Sequence, residues 1–183
     1  DDSLHCQLTI VSAPAGFGKT TLVANWVQNL QDADEDAKSA FAWVSLDQND
    51  DDPVRFFTYF VAGLQKIEMG LGESALDWLE SSTELPIEAA LSEVINDVAE
   101  FPGHIVFILD DFHLITEPVI HEAFTFLLEN QPSNLHLVVI SRADPPWPLA
   151  RLRARQELNE IRAKDLRFSV CLLYTSPSPR DRT

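Results

Sequence analysis

The chain has 183 residues and a formal net charge of -16, because 29 acidic side chains face only 13 lysines and arginines. A surface this acidic repels the phosphates of nucleic acids, which argues against direct DNA binding by this segment. No apolar run is long enough to span a bilayer, no signal peptide is evident, and Cys6 and Cys171 show neither metal-binding nor disulfide spacing. We therefore expect a cytoplasmic protein without membrane contact.

Apolar and β-branched runs alternate along the chain with segments of helical periodicity. Strands are predicted over residues 8–11, 41–46, 105–109, 135–140 and 158–162. Helices are predicted over residues 20–30, 53–68, 86–100, 118–130 and 148–155, with a short further helix around 76–79. This alternation indicates a parallel sheet covered on both faces. The predicted fold class is α/β, a P-loop NTPase three-layer sandwich with a mostly parallel sheet of about five strands.

A glycine-rich loop lies between the first predicted strand and the first predicted helix. Residues 13–20 read APAGFGKT against the usual pattern G-x-x-x-x-G-K-[ST], with alanine in place of the first glycine. The two glycines permit a tight backbone whose amides cradle phosphates, the lysine can reach the β- and γ-phosphates, and the threonine hydroxyl can bind Mg²⁺. We predict that ATP or ADP is bound by Ala13, Pro14, Ala15, Gly16, Phe17, Gly18, Lys19, Thr20 and Thr21.

Three further side chains follow predicted strands, at the sheet edge where open α/β sheets bind ligands. Asp110 is predicted to hold Mg²⁺ through water, together with Thr20. Asp111 is predicted to be catalytic by orienting or polarising the attacking water, although it could instead only support Asp110. Arg142 is predicted to sense or stabilise the γ-phosphate charge, and the alternative is a salt bridge to a nearby acid.

Other polar and aromatic residues near these motifs have simpler interpretations. We interpret His113 as a satisfied structural histidine rather than a phosphate ligand, and Trp147 as a packing residue rather than a base contact. Residues 47–52 are acidic and suggest a solvated loop with a helix cap rather than a metal site. Six of the thirteen basic residues fall within residues 151–167, where we expect a solvated face rather than a partner surface.

Four blocks of the sequence resemble MalT-like signal-transducing ATPases, a group within the STAND class that includes large ATP-binding regulators of the LuxR group. The blocks are VSAPAGFGKTTL at 11–22, WVSLD and DPVRFF at 43–47 and 52–57, LDDFHLI at 109–115, and SRADPPWPLARLRAR at 141–155. The resemblance covers nearly all of residues 8–169, and it breaks at Gln156, where relatives often have glycine. It implies a switch that rests with ADP, exchanges it for ATP when an inducer binds, self-associates, activates transcription and is reset by slow hydrolysis.

The resemblance also implies partners that this chain does not bind by itself. DNA would be bound through a missing C-terminal helix-turn-helix, and the inducer through missing sensor repeats. Three alternatives stay open: the nucleotide-binding module of another STAND-type signalling protein, a P-loop phosphotransferase acting on a small molecule, and an interaction protein that binds nucleotide without hydrolysing it.

The last part of the chain differs in composition from the rest. Residues 171–181, CLLYTSPSPRD, have no helical or strand period and resemble the translation of a transposon-type sequencing adapter; a natural disordered linker is the alternative. We therefore expect one nucleotide-binding domain of the NB-ARC/STAND ATPase type over residues 1–170, truncated at both ends, and a non-native tail over residues 171–183.

Overall fold

A computed structural model of the chain describes residues 6–33, 39–81 and 87–166. The tail predicted over residues 171–183 lies outside these ranges, and the predicted domain bounds remain a prediction. No helix within the described ranges combines the length and the apolar character that crossing a membrane requires.

Five strands form one sheet in which every pairing is parallel. They are β1 (Leu8–Ser12), β2 (Ser39–Ser45), β3 (His104–Asp110), β4 (Leu135–Ser141) and β5 (Leu158–Arg162). Their order across the sheet is β2-β3-β4-β1-β5. The central strands β1, β3 and β4 are buried almost throughout, as continuous apolar runs in a parallel sheet should be. The predicted α/β fold class is confirmed.

Helices connect the strands and cover both faces of the sheet. They are α1 (Lys19–Ala33), α2 (Pro53–Gln65), α3 (Glu73–Ser81), α4 (Ile87–Glu100), α5 (Pro118–Glu129) and α6 (Leu149–Ala154), with single 3-10 turns at Gln48–Asp50 and Phe112–Leu114. Several predicted bounds were wrong. β2 begins earlier than predicted because Ser39 and Ala40 already pair with β3. α3 begins earlier than predicted, and Ala75 in its added turn is buried. α1 ends three residues later than predicted, and α2 ends three residues earlier.

The direction of each crossover decides which face of the sheet its helices cover. The connection from β1 to β2 runs towards one edge, whereas those from β2 to β3, β3 to β4 and β4 to β5 run the opposite way. Right-handed crossovers that run in opposite directions lie on opposite faces. Accordingly, α1 packs on one face, with Val23 in the smaller core, and α2 to α6 pack on the other, with the larger core. Three layers result, with α1 alone among α1–α6 on its face.

Aromatic rings fill the larger core beneath the ends of β3 and β4. Trp147 is 6% exposed, and its ring stacks on Phe124 with centroids 5.3 Å apart and planes 9° apart. Phe112 contacts both rings and is 1% exposed. The predicted packing role of Trp147 is confirmed, and this cluster fixes the loops that carry the polar residues described next.

Candidate nucleotide site

The loop between β1 and α1 has the backbone shape that its glycines predict. Gly16 and Gly18 have φ values of +81° and +71°, in the left-handed region that glycine favours. No atom lies within 4 Å of the position where a Cβ would stand at either glycine, so the requirement comes from backbone conformation rather than crowding. Ala13 is not among the residues with positive φ, which explains why alanine is accepted in place of the first glycine.

Lys19 is the first residue of α1, and its side chain crosses the loop that precedes it. It is 8% exposed, and its Nζ donates hydrogen bonds to the carbonyl oxygens of Ala13 at 2.9 Å and Pro14 at 3.2 Å. These carbonyls stabilise an ammonium group that burial would otherwise disfavour. The lysine charge and the N-terminus of α1 therefore lie together at the loop, an arrangement that attracts phosphate.

Asp110 and Thr20 face each other across the ends of β3 and α1. Asp110 is 5% exposed, and its carboxylate accepts a hydrogen bond from the Asp111 N–H at 2.9 Å. Burial raises the pKa of Asp110, while the nearby Thr20 hydroxyl and the hydrogen bond from the Asp111 N–H oppose that rise. Two adjacent oxygen ligands, one of them a buried carboxylate, fit Mg²⁺, which prefers such groups. Bound Mg²⁺ would neutralise charge on phosphate oxygens.

Asp111 has an unusual backbone conformation for a residue with a side chain. Its φ and ψ are 57° and 33°, in the left-handed region, which costs about 1–2 kcal/mol for an L-residue. It precedes the 3-10 turn Phe112–Leu114, yet its side chain forms no capping hydrogen bond there. Its side chain is 50% exposed, so its carboxylate is accessible beside the buried Asp110. Strain of this kind is typical of functional sites.

Arg142 lies directly after β4, beside the residues just described. It is exposed and forms no hydrogen bond or ion pair with any residue in the described part of the chain. The alternative of a salt bridge to a nearby acid therefore finds no partner in those ranges. Its positive charge reaches His113, where it contributes to a lowered pKa. Because parallel strands end at the same edge, the structure brings Lys19, Asp110, Asp111 and Arg142 to one site.

His113 differs from its interpretation as a satisfied structural histidine. Its Nδ1 is buried and has no hydrogen-bond partner, and Asp111 Oδ1 lies 3.7 Å away. Burial, followed by the charge of Arg142, lowers the pKa of His113. The interpretation was wrong because the sequence carries no sign of where the imidazole nitrogens point.

The acidic segment 47–52 contains the predicted helix cap but is not solvated throughout, because Asp50 is 3% exposed and pairs with Arg55 at 2.7 Å. Asp47 caps the 3-10 turn and Asp52 caps α2. Asp51 does more, because its carboxylate accepts hydrogen bonds from the N–H and hydroxyl of Thr116 at 2.7 and 2.6 Å and from the Glu117 N–H at 2.7 Å. These bonds join the loop after β2 to the loop that follows the second 3-10 turn, Phe112–Leu114. Sequence reasoning missed this link, since nothing local connects residues so far apart.

The basic residues near the end of the described chain are mostly paired with acids. The pairs are Arg151 with Glu129, Arg153 with Glu160, Arg155 with Glu157, and Arg162 with Asp144 and Glu160. The expected solvated face is confirmed for Arg151, Arg153 and Arg155, whose side chains are half exposed, and for the exposed Lys164. It does not hold for Arg162, whose side chain is 29% exposed. Arg167 lies outside the described residues.

Comparison with known proteins identifies the family and the fold. The family model described as nephrocystin 3, N-terminal, matches residues 1–142. The chain belongs to this family. Curated relatives include the HTH-type transcriptional regulator MalT of Yersinia enterocolitica, 36% identical over 163 residues, and that of Serratia proteamaculans, 37% identical over 163 residues. Each alignment covers 89% of this chain but only 17% of the relative. The predicted resemblance to MalT-like regulators is confirmed over this segment, whereas the nephrocystin name had no counterpart in the sequence analysis.

Solved structures show the same fold at low sequence identity. Cdc6p from Pyrobaculum aerophilum matches with a TM-score of 0.56 and 17% identity, covering 92% of this chain and 42% of that one. A chain in the structure of Drosophila ORC bound to AT-rich DNA and Cdc6 matches with a TM-score of 0.51 and 10% identity, covering 96% of this chain and 59% of that one. These similarities place the sheet and helices among P-loop ATPase folds.

Proposed function

We propose that this chain is the ATP-binding and slowly hydrolysing switch module of a signal-responsive transcriptional activator, and that its ATP or ADP state controls self-association. The observation that carries the proposal is the pairing of Thr20 with the buried Asp110 directly beside the loop that Lys19 crosses. Similarity to the transcriptional regulator MalT over 89% of the chain supports the regulatory class. The module spans residues 1–170 in this proposal.

Hydrolysis would use the two predicted catalytic residues at the same edge. The oxygen of a water molecule forms a bond to the γ-phosphorus, the bond from that phosphorus to the bridging oxygen breaks, and ADP, phosphate and a proton result. Asp111, with its accessible carboxylate, would orient the water, and Arg142, which has no ion pair within the described ranges, would stabilise charge on the γ-phosphate. Lys19 would bind the β- and γ-phosphates, and Thr20 and Asp110 would hold Mg²⁺.

DNA and the inducer would be bound by other parts of a longer protein. The net charge of -16 opposes a direct grip on DNA, and the chain spans only 17% of the length of its MalT relatives. In this proposal the γ-phosphate shifts the protein between two states, because only ATP supplies contacts to Arg142.

Calorimetric titration with ATP and with ADP, each with Mg²⁺, tests the binding part of the proposal. The wild-type chain is expected to bind both, and Lys19→Ala is expected to weaken ATP binding by about 100-fold or more, because a charge-assisted contact to phosphate is lost. Lys66→Ala removes an exposed lysine from the end of α2 and is the matched control. Equal ATP affinity of Lys19→Ala and the wild type would contradict the site.

Sedimentation velocity tests the switch part separately. The chain is compared with ADP and with a non-hydrolysable ATP analogue, and larger species are expected with the analogue alone. Lys19→Ala should sediment identically in both conditions. If the wild type also sediments identically while binding both nucleotides, control of self-association by this module is refuted and nucleotide binding is retained.

A further inference from the structure

The two edge strands of the sheet differ in charge. β5 carries Glu160 and Arg162, and charged side chains of this kind protect a free strand edge from pairing with another chain. β2, at the opposite edge, has the sequence SAFAWVS over seven residues, without a charge, a proline or a glycine. It pairs with β3 and with no other strand in the described ranges. Its outer edge therefore lacks the protection that β5 has.

Alternate residues of β2 direct their backbone groups at this free edge. The Leu46 N–H donates to the carbonyl oxygen of Asp110 at 3.1 Å and so continues the ladder between β2 and β3. Because the N–H and C=O groups of successive strand residues point to opposite edges, the even-numbered residues of β2 bond to β3. The odd-numbered residues present their N–H and C=O groups to the outside, where no strand in the described ranges meets them. These residues are Ser39, Phe41, Trp43 and Ser45.

The sequence of β2 is symmetric in character about its central residue, Ala42. Residues at equal distances from the centre are alike: two aromatic, two apolar and two serines, namely Phe41 and Trp43, Ala40 and Val44, and Ser39 and Ser45. A two-fold interface requires a surface that is complementary to itself, because each residue meets its counterpart from the other copy. In an antiparallel pair centred on Ala42, rings would lie opposite rings and hydroxyls opposite hydroxyls, and such cross-strand pairs are stabilising.

The same register satisfies the backbone and covers exposed apolar surface. It places Phe41 opposite Trp43 of a second copy, so the outward N–H and C=O groups of both residues can bond to each other. All seven residues of β2 are paired in this register. The side chains of Phe41 and Trp43 are half-buried on the face that α1 covers, against the smaller core. A ring from a second copy would cover part of the surface that α1 leaves open.

We propose that two copies of this chain associate through antiparallel pairing of their β2 strands about Ala42, which joins their two sheets into one. This inference deepens the self-association part of the proposed function and rests on it for any dependence on nucleotide. Ser45 pairs with Asp110 in the sheet, so the end of β2 lies one strand away from the candidate magnesium ligand. Pairing occupies the free edge of β2 in both copies, and the charges on β5 oppose the same contact there, so association through strand edges stops at a dimer.

Sedimentation velocity of the wild-type chain with a non-hydrolysable ATP analogue and Mg²⁺, at low and at raised salt concentration, tests the dimer. A discrete dimer is expected, and its dissociation constant should fall as salt is added, because salt screens the repulsion between two copies that each carry a charge of -16. A wild type that stays monomeric in every condition would overturn the proposal.

Paired substitutions at the two ends of β2 test the register. Ser39 and Ser45 lie about 20 Å apart within one chain and meet only across the proposed two-fold axis. Ser39→Lys/Ser45→Lys places like charges opposite each other and should raise the dissociation constant about 10-fold or more, although it reduces the net negative charge. Ser39→Glu/Ser45→Lys keeps the net charge, places opposite charges there, and should dimerise within about 3-fold of the wild type. Equal dissociation constants for these two variants would overturn the pairing.

The control for the added charge is Ser74→Lys/Ser133→Lys, at two exposed serines outside β2. Its dissociation constant should be no higher than that of the wild type, because it lowers the repulsion between copies without touching the strand. Weakening by this control as strong as that by Ser39→Lys/Ser45→Lys would also overturn the pairing.

Amide hydrogen exchange gives a readout that needs no substitution. The outward N–H groups of Phe41 and Trp43 should exchange about 10-fold or more slowly as the protein concentration rises, whereas those of Ala42 and Val44, which bond to β3, should be slow throughout. Unchanged exchange at Phe41 and Trp43 in a sample that sediments as a dimer would overturn this interface and leave the proposed function intact. A wild type that is monomeric with both nucleotides would refute self-association in both proposals, and nucleotide binding measured by calorimetry would stand.

Discussion

The hydroxyl group of Thr20 lies beside the carboxylate of Asp110, so the first turn of α1 meets the last residue of β3. The glycine-rich loop before α1 and the end of β3, which carries the acid pair, therefore lie next to each other. Asp111 follows directly, with its carboxylate half exposed. Because Asp110 is buried and Asp111 is accessible, substitution can test the role of Asp111 separately from that of Asp110.

Asp111→Asn should slow ATP hydrolysis and leave nucleotide affinity unchanged, because the amide cannot orient or polarise water as a carboxylate does. A loss of about 100-fold or more is expected in single-turnover assays, with affinity measured by calorimetry. Asp32→Asn, at an exposed position near the end of α1, is the control. Lost ATP binding would instead make Asp111 a magnesium ligand.

Arg142→Ala should reduce discrimination between ATP and ADP. The guanidinium has no partner in the described ranges, so its charge is available to the γ-phosphate, which only ATP has. We expect the ratio of ADP to ATP dissociation constants to fall by about 10-fold in paired titrations. Arg155→Ala, whose exposed side chain lies 3.9 Å from Glu157, controls for the loss of one positive charge. An unchanged ratio would leave Arg142 with a structural role.

Gln156→Gly should stabilise the fold. Gln156 has a φ of 60°, which costs an L-residue about 1–2 kcal/mol. Glycine removes this strain, but its greater conformational freedom in the unfolded chain offsets part of the stabilisation. The expected increase in the free energy of unfolding is about 0.5–1 kcal/mol, measured by urea denaturation. Gln28→Gly, in the middle of α1, makes the same substitution in a helix and is the control. It should lower the free energy of unfolding by about 0.5–1 kcal/mol. Destabilisation by Gln156→Gly would refute the strained conformation.

Glu160→Gln should lower thermal stability at neutral pH and lose that effect in acid. Arg153, which donates to Glu160 at 2.8 Å, and Arg162 lower the pKa of Glu160 to about 2 from an ordinary value of 4.5. Because the folded state holds the carboxylate ionised, its contribution to stability is complete above pH 4.5 and declines as the pH falls towards 2. The difference between the melting temperatures of the two proteins should be constant from pH 7 to about pH 5 and should narrow as the pH falls to 3. A difference in melting temperature that stays constant over the whole pH range would contradict the stabilising role of the ion pairs. Glu122→Gln, at an exposed position, is the control.

Much of the sheet could be predicted because its central strands are buried on both faces. β1, β3 and β4 are nearly unbroken apolar runs, and their predicted bounds agree with the structure to within one residue at each end. Ser39 and Ala40 carry no such signal, and they belong to β2 only because β3 lies beside them. The early start of α3 likewise depends on packing rather than on a local cap.

The site divides in the same way between local and tertiary information. The glycines, Lys19 and the acid pair could be placed at one edge of the sheet because each belongs to a short motif that follows a strand. The carbonyl partners of Lys19, the link from Asp51 to Thr116, and the unpartnered nitrogen of His113 depend on how separate loops meet. No periodicity or spacing in the sequence encodes those contacts.

The placement of α1 has a mechanical consequence. Its first residue is Lys19, and one crossover in the reverse direction puts it on a face of the sheet where none of α2–α6 lies beside it. A small slide or tilt of α1 would have to repack its interface with the sheet, but not an interface with any of those helices. The helix that begins at Lys19 thus has no lateral neighbour among α2–α6, which would suit the reporting element of the proposed nucleotide switch.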